Sequence, residues 1–231
     1  MDIIKQITSV IPFPDKYLMG HADMTGLLTG KYSAFRYAIS LARKLDDTIV
    51  NSLRGGPTRP YFDHYHQVNA ELADVVKKVS AALTQAGMLN APIPITVNDS
   101  ELPDDYEKTL RMPFSHKMAA TRAGLGWIGK TDLLITRKFG PRVRLATVLL
   151  EKEIHAIGKP ITTSRCGKCN ICVVKCPARA ANGKLWDVKT DRDLFYNPFI
   201  CREKCRELSL KNLNEEISLC GICVFVCPIG R

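Results

Sequence analysis

Cys166-Gly167-Lys168-Cys169-Asn170-Ile171-Cys172-Val173-Val174-Lys175-Cys176-Pro177 decides how the last third of this chain folds. A second run, Cys220-Gly221-Ile222-Cys223-Val224-Phe225-Val226-Cys227-Pro228, closes the sequence, with Cys201 and Cys205 upstream of it. All nine cysteines lie in these segments. Three thiolates two residues apart can wrap one face of a cubane, because a tight turn points their sulfurs inward while backbone N–H groups face the cluster. The fourth ligand then comes from a distant segment and locks two stretches of chain together. The first run has the spacing that binds 4Fe-4S clusters, and its fourth thiolate serves the neighbouring cluster. Electrons therefore move through this protein.

On that logic one cluster (cluster I) takes Cys166, Cys169, Cys172 and Cys227. The other (cluster II) takes Cys176, Cys220, Cys223 and one upstream cysteine. Cys201 and Cys205 both reach; Cys201 is preferred, and Cys205, one helical turn later, is accommodated as a bystander. Structural zinc sites show paired Cys-x2-Cys knuckles rather than this run. Disulfides suit small secreted domains, and Met1-Asp2-Ile3 begins no signal peptide.

A chain of 231 residues holds one medium domain and a small appended one. The division expected is an α/β (α+β) domain over residues 1–155 and a ferredoxin-like, two-cluster 4Fe-4S domain over 156–231. No apolar run approaches the ~20 residues that span a bilayer, so no membrane is expected and the cytoplasm is the default location. The formal charge of +10 is unevenly shared. Residues 156–231 carry thirteen Lys/Arg and seven Asp/Glu, hence +6, which leaves +4 for residues 1–155. Two oxidised clusters with their thiolates contribute about −2 each, so much of the basic excess offsets the metal centres. An acidic partner fits the remainder, either an electron donor such as flavodoxin or ferredoxin, or a nucleic acid. A basic stripe interleaved with aromatics is missing, which argues against direct nucleic-acid binding.

Residues 1–155 contain no cysteine. Tyr32–Leu45 places Phe35, Ile39, Leu41 and Leu45 near one face and predicts a helix. Pro60 opens a second helix that stops at Gly87. Pro92–Val97 is short, β-branched and bounded by proline, and predicts a strand. A helix is expected over Ser115–Ala123. Thr131–Thr136 and Arg142–Leu150, joined through Gly140-Pro141, predict a β-hairpin.

Between these elements lies Gly124-Leu125-Gly126-Trp127-Ile128-Gly129-Lys130-Thr131. It satisfies both G-x-G-x-x-G and G-x-x-x-x-G-K-[ST]. Those motifs hold phosphate only where a strand enters and a helix leaves with its N-terminal N–H groups aimed at the ligand. Here the order is reversed, so nucleotide binding is rejected. The glycines still permit positive φ or close backbone approach, which suits either a tight packing turn or a ligand loop.

His116-Lys117-Met118-Ala119-Ala120-Thr121-Arg122-Ala123-Gly124-Leu125-Gly126-Trp127-Ile128-Gly129-Lys130, followed by the double cysteine run, resembles the epoxyqueuosine reductase family. The match covers residues 110–231 by motif. The resemblance implies a corrinoid-binding domain (cobalamin or a relative) joined to a two-cluster domain, related to reductive dehalogenases. It implies electrons passing through the clusters to cobalt, which reduces the epoxide of a tRNA base. Gly124, Leu125, Gly126, Trp127, Ile128, Gly129 and Lys130 would then lie against the corrinoid. Cobalt in that family has no protein histidine ligand, and the Asp-x-His-x-x-Gly pattern of histidine-ligated corrinoid proteins is absent here.

Two features depart from the family. Its proton-donating Asp stands where this chain has Leu110 in Leu110-Arg111-Met112-Pro113, and leucine transfers no proton. Asp104, Asp105, Tyr106 and Glu107 are the nearby substitutes. The sequence also stops at Arg231, before the family's tRNA-binding helical repeats. A redox carrier that activates a corrinoid-protein partner is therefore weighed beside a corrinoid-dependent reductase. tRNA is a partner on charge alone.

Five histidines offer no metal spacing. His64 and His66 fall on different faces of a predicted helix, and His21, His116 and His155 are isolated in sequence. Tyr61, Tyr65 and Asn69 share one helical face, read as packing.

Overall fold

The structure, a computed structural model, describes residues 3–97 and 99–231. Its first elements are α1 (Ile3–Ser9), β1 (Tyr17–Asp23), β2 (Tyr37–Lys44), α2 (Asp47–Asn51) and α3 (Arg59–Gln85). Next come β3 (Asn90–Pro92), α4 (Tyr106–Thr109), α5 (His116–Arg122), β4 (Gly126–Ile128), β5 (Leu134–Thr136) and β6 (Val143–Leu150). The cysteine-rich segment supplies α6 (Ile171–Val174), α7 (Pro198–Leu213) and α8 (Ile222–Val226). Mixed helix and sheet followed by small helices matches the fold class expected.

Contacts divide the chain into two compact units, each assembled from several segments. The first gathers residues 1–44, 68–125 and 144–161; the second gathers 45–67, 126–143 and 162–231. The last passage between them, at 161/162, lies close to the sequence boundary at 155/156, and two earlier stretches join the cysteine-rich segment.

The first unit is built on a four-stranded sheet in the order β1-β2-β6-β3. β1 and β2 are antiparallel from Tyr17↔Arg43 to Asp23↔Tyr37, and β3 pairs antiparallel with β6 from Asn90↔Leu150 to Pro92↔Val148. Val68, Leu72, Val75, Val76, Val79 and Leu83 recur at helical spacing on α3 and are all buried. Ala119 and Ala123, small enough for close approach, pack α5 into the core formed by Ala22, Met24, Phe35, Ala38, Ile93, Phe114 and Leu149. Arg43 and Glu71 form a partly buried ion pair at 2.7 Å, and the Tyr17 hydroxyl donates to the same carboxylate at 2.5 Å.

Three sequence expectations are corrected here. Tyr32–Leu45 is not a helix: Tyr37–Lys44 is β2, an inner strand buried on both faces, and such a strand carries no alternation to set against the helical spacing. The strand expected at Pro92–Val97 sits earlier, at Asn90–Pro92, because Ser80 and Asn90 tie the α3–β3 connection together through a 2.6 Å bond. Thr131–Thr136 and Arg142–Leu150 form no hairpin. β5 pairs instead with β4, and β6 joins the larger sheet. Arg142 explains the departure: it is 1% exposed and donates to Asp47 at 2.8 Å and Asn51 at 3.0 Å, which fixes the start of β6 on α2. The helices expected from Pro60 and over Ser115–Ala123 are present as α3 and α5, the latter capped by Ser115 accepting from the Met118 N–H.

In the second unit α2 is capped by Asp46, whose carboxylate accepts from the Thr48 and Ile49 N–H groups. α7 begins at Asn197-Pro198 and ends on Asn214 in the left-handed conformation. Arg59 clamps that end, donating to Glu215 and to the Leu213 carbonyl at 2.7 and 2.9 Å. Gly221, at φ +83°, begins α8 where a Cβ would meet Leu53 at 2.6 Å.

A candidate two-cluster iron–sulfur centre

The short helices α6 and α8 pack together in the second unit, each starting two residues after a cysteine and each leading to a Cys-Pro. Cys172 lies on α6 and Cys223 on α8. α7 presents Cys201 and Cys205 one turn apart, with sulfurs 3.9 Å from each other. All nine thiols are free, and Cys205 is buried.

Electrostatics groups them. Burial raises the Cys172 thiol, and the sulfurs of Cys166, Cys227 and Cys169 raise it further. Burial likewise raises Cys227, with Cys166 and Cys169 adding to it. Cys223 is raised by burial and then by Cys220, Cys201, Cys172 and Cys176. The Cys205 thiol is bonded to Cys201 and Cys220 and is driven up by both, while the bond from Cys205 drives Cys201 down. One quartet is thus Cys166, Cys169, Cys172 and Cys227. The other gathers Cys176, Cys220 and Cys223 with Cys201 and Cys205 both at hand. The two ligand sets expected from spacing are compatible with this proximity, although Cys223 also feels Cys172, and the choice between Cys201 and Cys205 stays open.

Crowded thiols, several of which oppose one another's ionisation, fit a cationic iron–sulfur core, which would remove that opposition by binding them as thiolates. Among the described residues no three His, Cys, Asp or Glu side chains converge as a single-ion site does. A cubane spreads its thiolates over four irons.

Protein encloses much of the glycine-rich loop that the resemblance set against a corrinoid. Gly126, Trp127, Ile128, Gly129 and Lys130 are all buried by protein, while Gly124 and Leu125 are half-buried. A Cβ on Gly126 would collide with the Ile135 carbonyl, and one on Gly129 would lie 2.9 Å from the Ile135 side chain. Gly124 is at φ +73°, and a Cβ there would lie 2.6 Å from the Lys159 carbonyl. The close approaches that require glycine are therefore approaches to protein, as in the packing turn. α5 enters this loop and strands leave it, the reversed order on which nucleotide binding was rejected.

Three contacts that the sequence does not reveal join this loop to the first quartet. The Trp127 indole N–H donates to the Cys166 sulfur at 3.4 Å. The Thr131 hydroxyl bonds to Cys172. Lys130, 3% exposed, donates from Nζ to Asn170 Oδ1 at 2.7 Å, between Cys169 and Cys172 in the chain. The only forewarning was Trp127 beside glycines; its partner lies 39 residues away.

Leu110 sits in the left-handed conformation that ends α4. Asp104, Asp105 and Glu107 are exposed there, and Tyr106 is half-buried. His64 accepts from the Asp46 N–H at 3.0 Å, and His66 meets the rings of Phe62 and Tyr65, so both serve packing. His21 and His155 are not isolated, since their rings meet edge-on at 5.1 Å. His116 bonds to Thr147 Oγ1 and the Pro94 carbonyl at 2.9 and 3.2 Å. Tyr61 and Asn69 are buried and Tyr65 is half-buried, in line with a packed face.

Comparison with known proteins agrees with this centre. Residues 165–230 match the 4Fe-4S double cluster binding domain family. An epoxyqueuosine reductase of Leadbetterella byssophila is 32% identical over 116 residues, half of this chain and 37% of that protein. The chain spans well under half the length of such curated relatives. Among solved structures, the epoxyqueuosine reductase of Streptococcus thermophilus superposes with a TM-score of 0.58 at 17% identity, over 99% of this chain and 65% of that one. A reductive dehalogenase, described as suggesting a mechanism for B12-dependent dehalogenation, superposes with a TM-score of 0.68 at 17% identity, over 93% and 30%. The resemblance to epoxyqueuosine reductases is borne out. No helix among the described residues is long and apolar enough to cross a membrane.

Proposed function

We propose that this chain, an iron–sulfur oxidoreductase with an epoxyqueuosine-reductase-like fold, relays single electrons from a donor such as flavodoxin or ferredoxin to an acceptor held by a partner. A corrinoid protein in need of reduction is one such partner. The observation that carries this reading is the gathering of Cys166, Cys169, Cys172 and Cys227 beside Cys176, Cys201 or Cys205, Cys220 and Cys223. When bound, two 4Fe-4S clusters supply one-electron chemistry. The burial of Gly126–Lys130 favours an acceptor outside this chain, because the loop has no open surface for a macrocycle. Oxygen-labile clusters and reduced cysteines suit the cytoplasm.

A second reading is favoured by the fold likeness to the B12-dependent dehalogenase. In it a corrinoid bound to this chain reduces an unidentified substrate, with a modified tRNA as one class. Residues other than Gly126–Lys130 then hold the corrinoid, and Leu110 leaves the proton to be supplied from elsewhere.

An EPR spectrum of anaerobically reconstituted protein with added Co(II) cobalamin separates the two. The relay reading expects the free cobalamin signal unchanged beside both reduced clusters. A stoichiometric base-off Co(II) signal overturns it in favour of the corrinoid reductase.

A further inference from the structure

Gly124-Leu125-Gly126-Trp127-Ile128-Gly129-Lys130-Thr131 satisfies nucleotide-loop patterns yet holds no nucleotide geometry, and its glycines pack on protein. What the loop does present is a set of donors to the first cysteine quartet. Antiparallel pairing of β4 and β5, with Trp127 opposite Ile135, holds the indole in place. The Gly129 N–H bonds to the Leu133 carbonyl at 2.8 Å and closes the turn that delivers Lys130 and Thr131. Glycine is required because the Ile135 carbonyl lies against Gly126 and the Ile135 side chain against Gly129. Trp127 and Lys130 are 4% and 3% exposed, so water competes little for either donor.

We infer that this loop is the electrostatic cradle of cluster I, with Trp127 and Thr131 donating to ligand sulfurs and the buried Lys130 ammonium adding a fixed positive charge, so that cluster I is the higher-potential cluster of the two. Reduction adds an electron to an already anionic centre. N–H and O–H donors to its thiolates, together with a nearby cation, stabilise the reduced form and raise the potential. A low local dielectric strengthens each of these effects. The second quartet receives the Tyr196 hydroxyl on Cys201 and the Cys205 thiol, but no buried ammonium among the described residues. Electrons entering at cluster II would then run downhill to cluster I. Trp127, Lys130 and Thr131 are positioning residues, and Asn170 relays the ammonium of Lys130 to the cysteine loop.

The inference rests on the two-cluster reading, and its test distinguishes the two. Anaerobic, reconstituted full-length protein is titrated against potential and followed by EPR, with iron counted in every sample. Cys169→Ala identifies the cluster I step as the one that it removes. Trp127→Phe keeps the ring and deletes the N–H, and Thr131→Val keeps the shape and deletes the hydroxyl. Each variant is expected to retain its iron and to move only the cluster I step to more negative potential. Together they should change the reduced-to-oxidised ratio at fixed potential about tenfold, ~59 mV for a one-electron couple. Lys130→Gln is expected to move it the same way, and if that variant loses iron the other two still decide. Full iron with an unmoved cluster I step, or a shift confined to cluster II, overturns the inference. Absence of both clusters from the unsubstituted protein overturns the two-cluster reading itself.

Discussion

The two compact units are held together by different physics. The first buries aliphatic side chains between α3, α5 and a four-stranded sheet, with Ile39, Leu41, Leu72, Val79 and Leu149 fully enclosed. The second winds short helices and loops around thiols. Its segment from 162 onward leaves Ile171, Val174, Leu185, Val188, Leu194, Phe199, Ile200 and Leu210 exposed. Apolar burial, at ~25 cal/mol per Å2, therefore stabilises the first unit directly. In the second unit bonds from cysteine to iron would take much of that role, as metal binding does wherever the ligands organise the fold. The lesson is that one chain can divide its stability between a core and a cofactor.

Removing the metal should break this comparison most visibly. Hydrogen exchange on the apoprotein is expected to lose protection across residues 162–231, while β1, β2 and residues 68–85 of α3 keep theirs; uniform loss would show that the units do not differ. Cys169→Ala is next in size. It should remove cluster I and with it about half the iron, and full iron content would contradict the ligand set.

Leu72→Ala probes the other unit. Opening a cavity under α3 should cost ~2–5 kcal/mol in thermal or denaturant unfolding without changing the iron content of the folded protein. The smallest effect expected is on acid stability. Burial, with Arg144 adding to it and the Pro94 carbonyl opposing it, lowers His116 from 6.5 to about 4. His21, lowered by burial and by His155, falls from 6.5 to about 4 as well. Both are neutral in the fold, so their contribution is intact above pH 6.5 and is lost as pH falls toward 4. His116→Gln should flatten that acid limb, and an unchanged slope in urea unfolding across pH 4–7 would remove His116 from it.

The candidate centre was far more legible than the fold around it. Ligand spacing is written in consecutive residues, so Cys166-x2-Cys169-x2-Cys172-x3-Cys176 announces a cluster without any tertiary knowledge. α3 was equally plain, because its buried residues recur at helical spacing between Pro60 and Gly87. β2 was misread because Tyr37–Lys44 is buried on both faces, where periodicity carries no sign of a strand. The pairing of β5 depended on Arg142 reaching Asp47 and Asn51 across more than ninety positions of chain. Trp127 and Lys130 were noticed as loop residues, but nothing local says that one meets Cys166 and the other Asn170. Local chemistry is legible; partners chosen by the fold are not.

The most direct test is iron and acid-labile sulfide per chain in anaerobically reconstituted protein, with an EPR spectrum of the reduced sample. Two cysteine quartets predict about eight iron and eight sulfide per chain and a spectrum of two interacting 4Fe-4S centres. About four of each, or zinc without sulfide, would contradict the paired quartets on which this account stands.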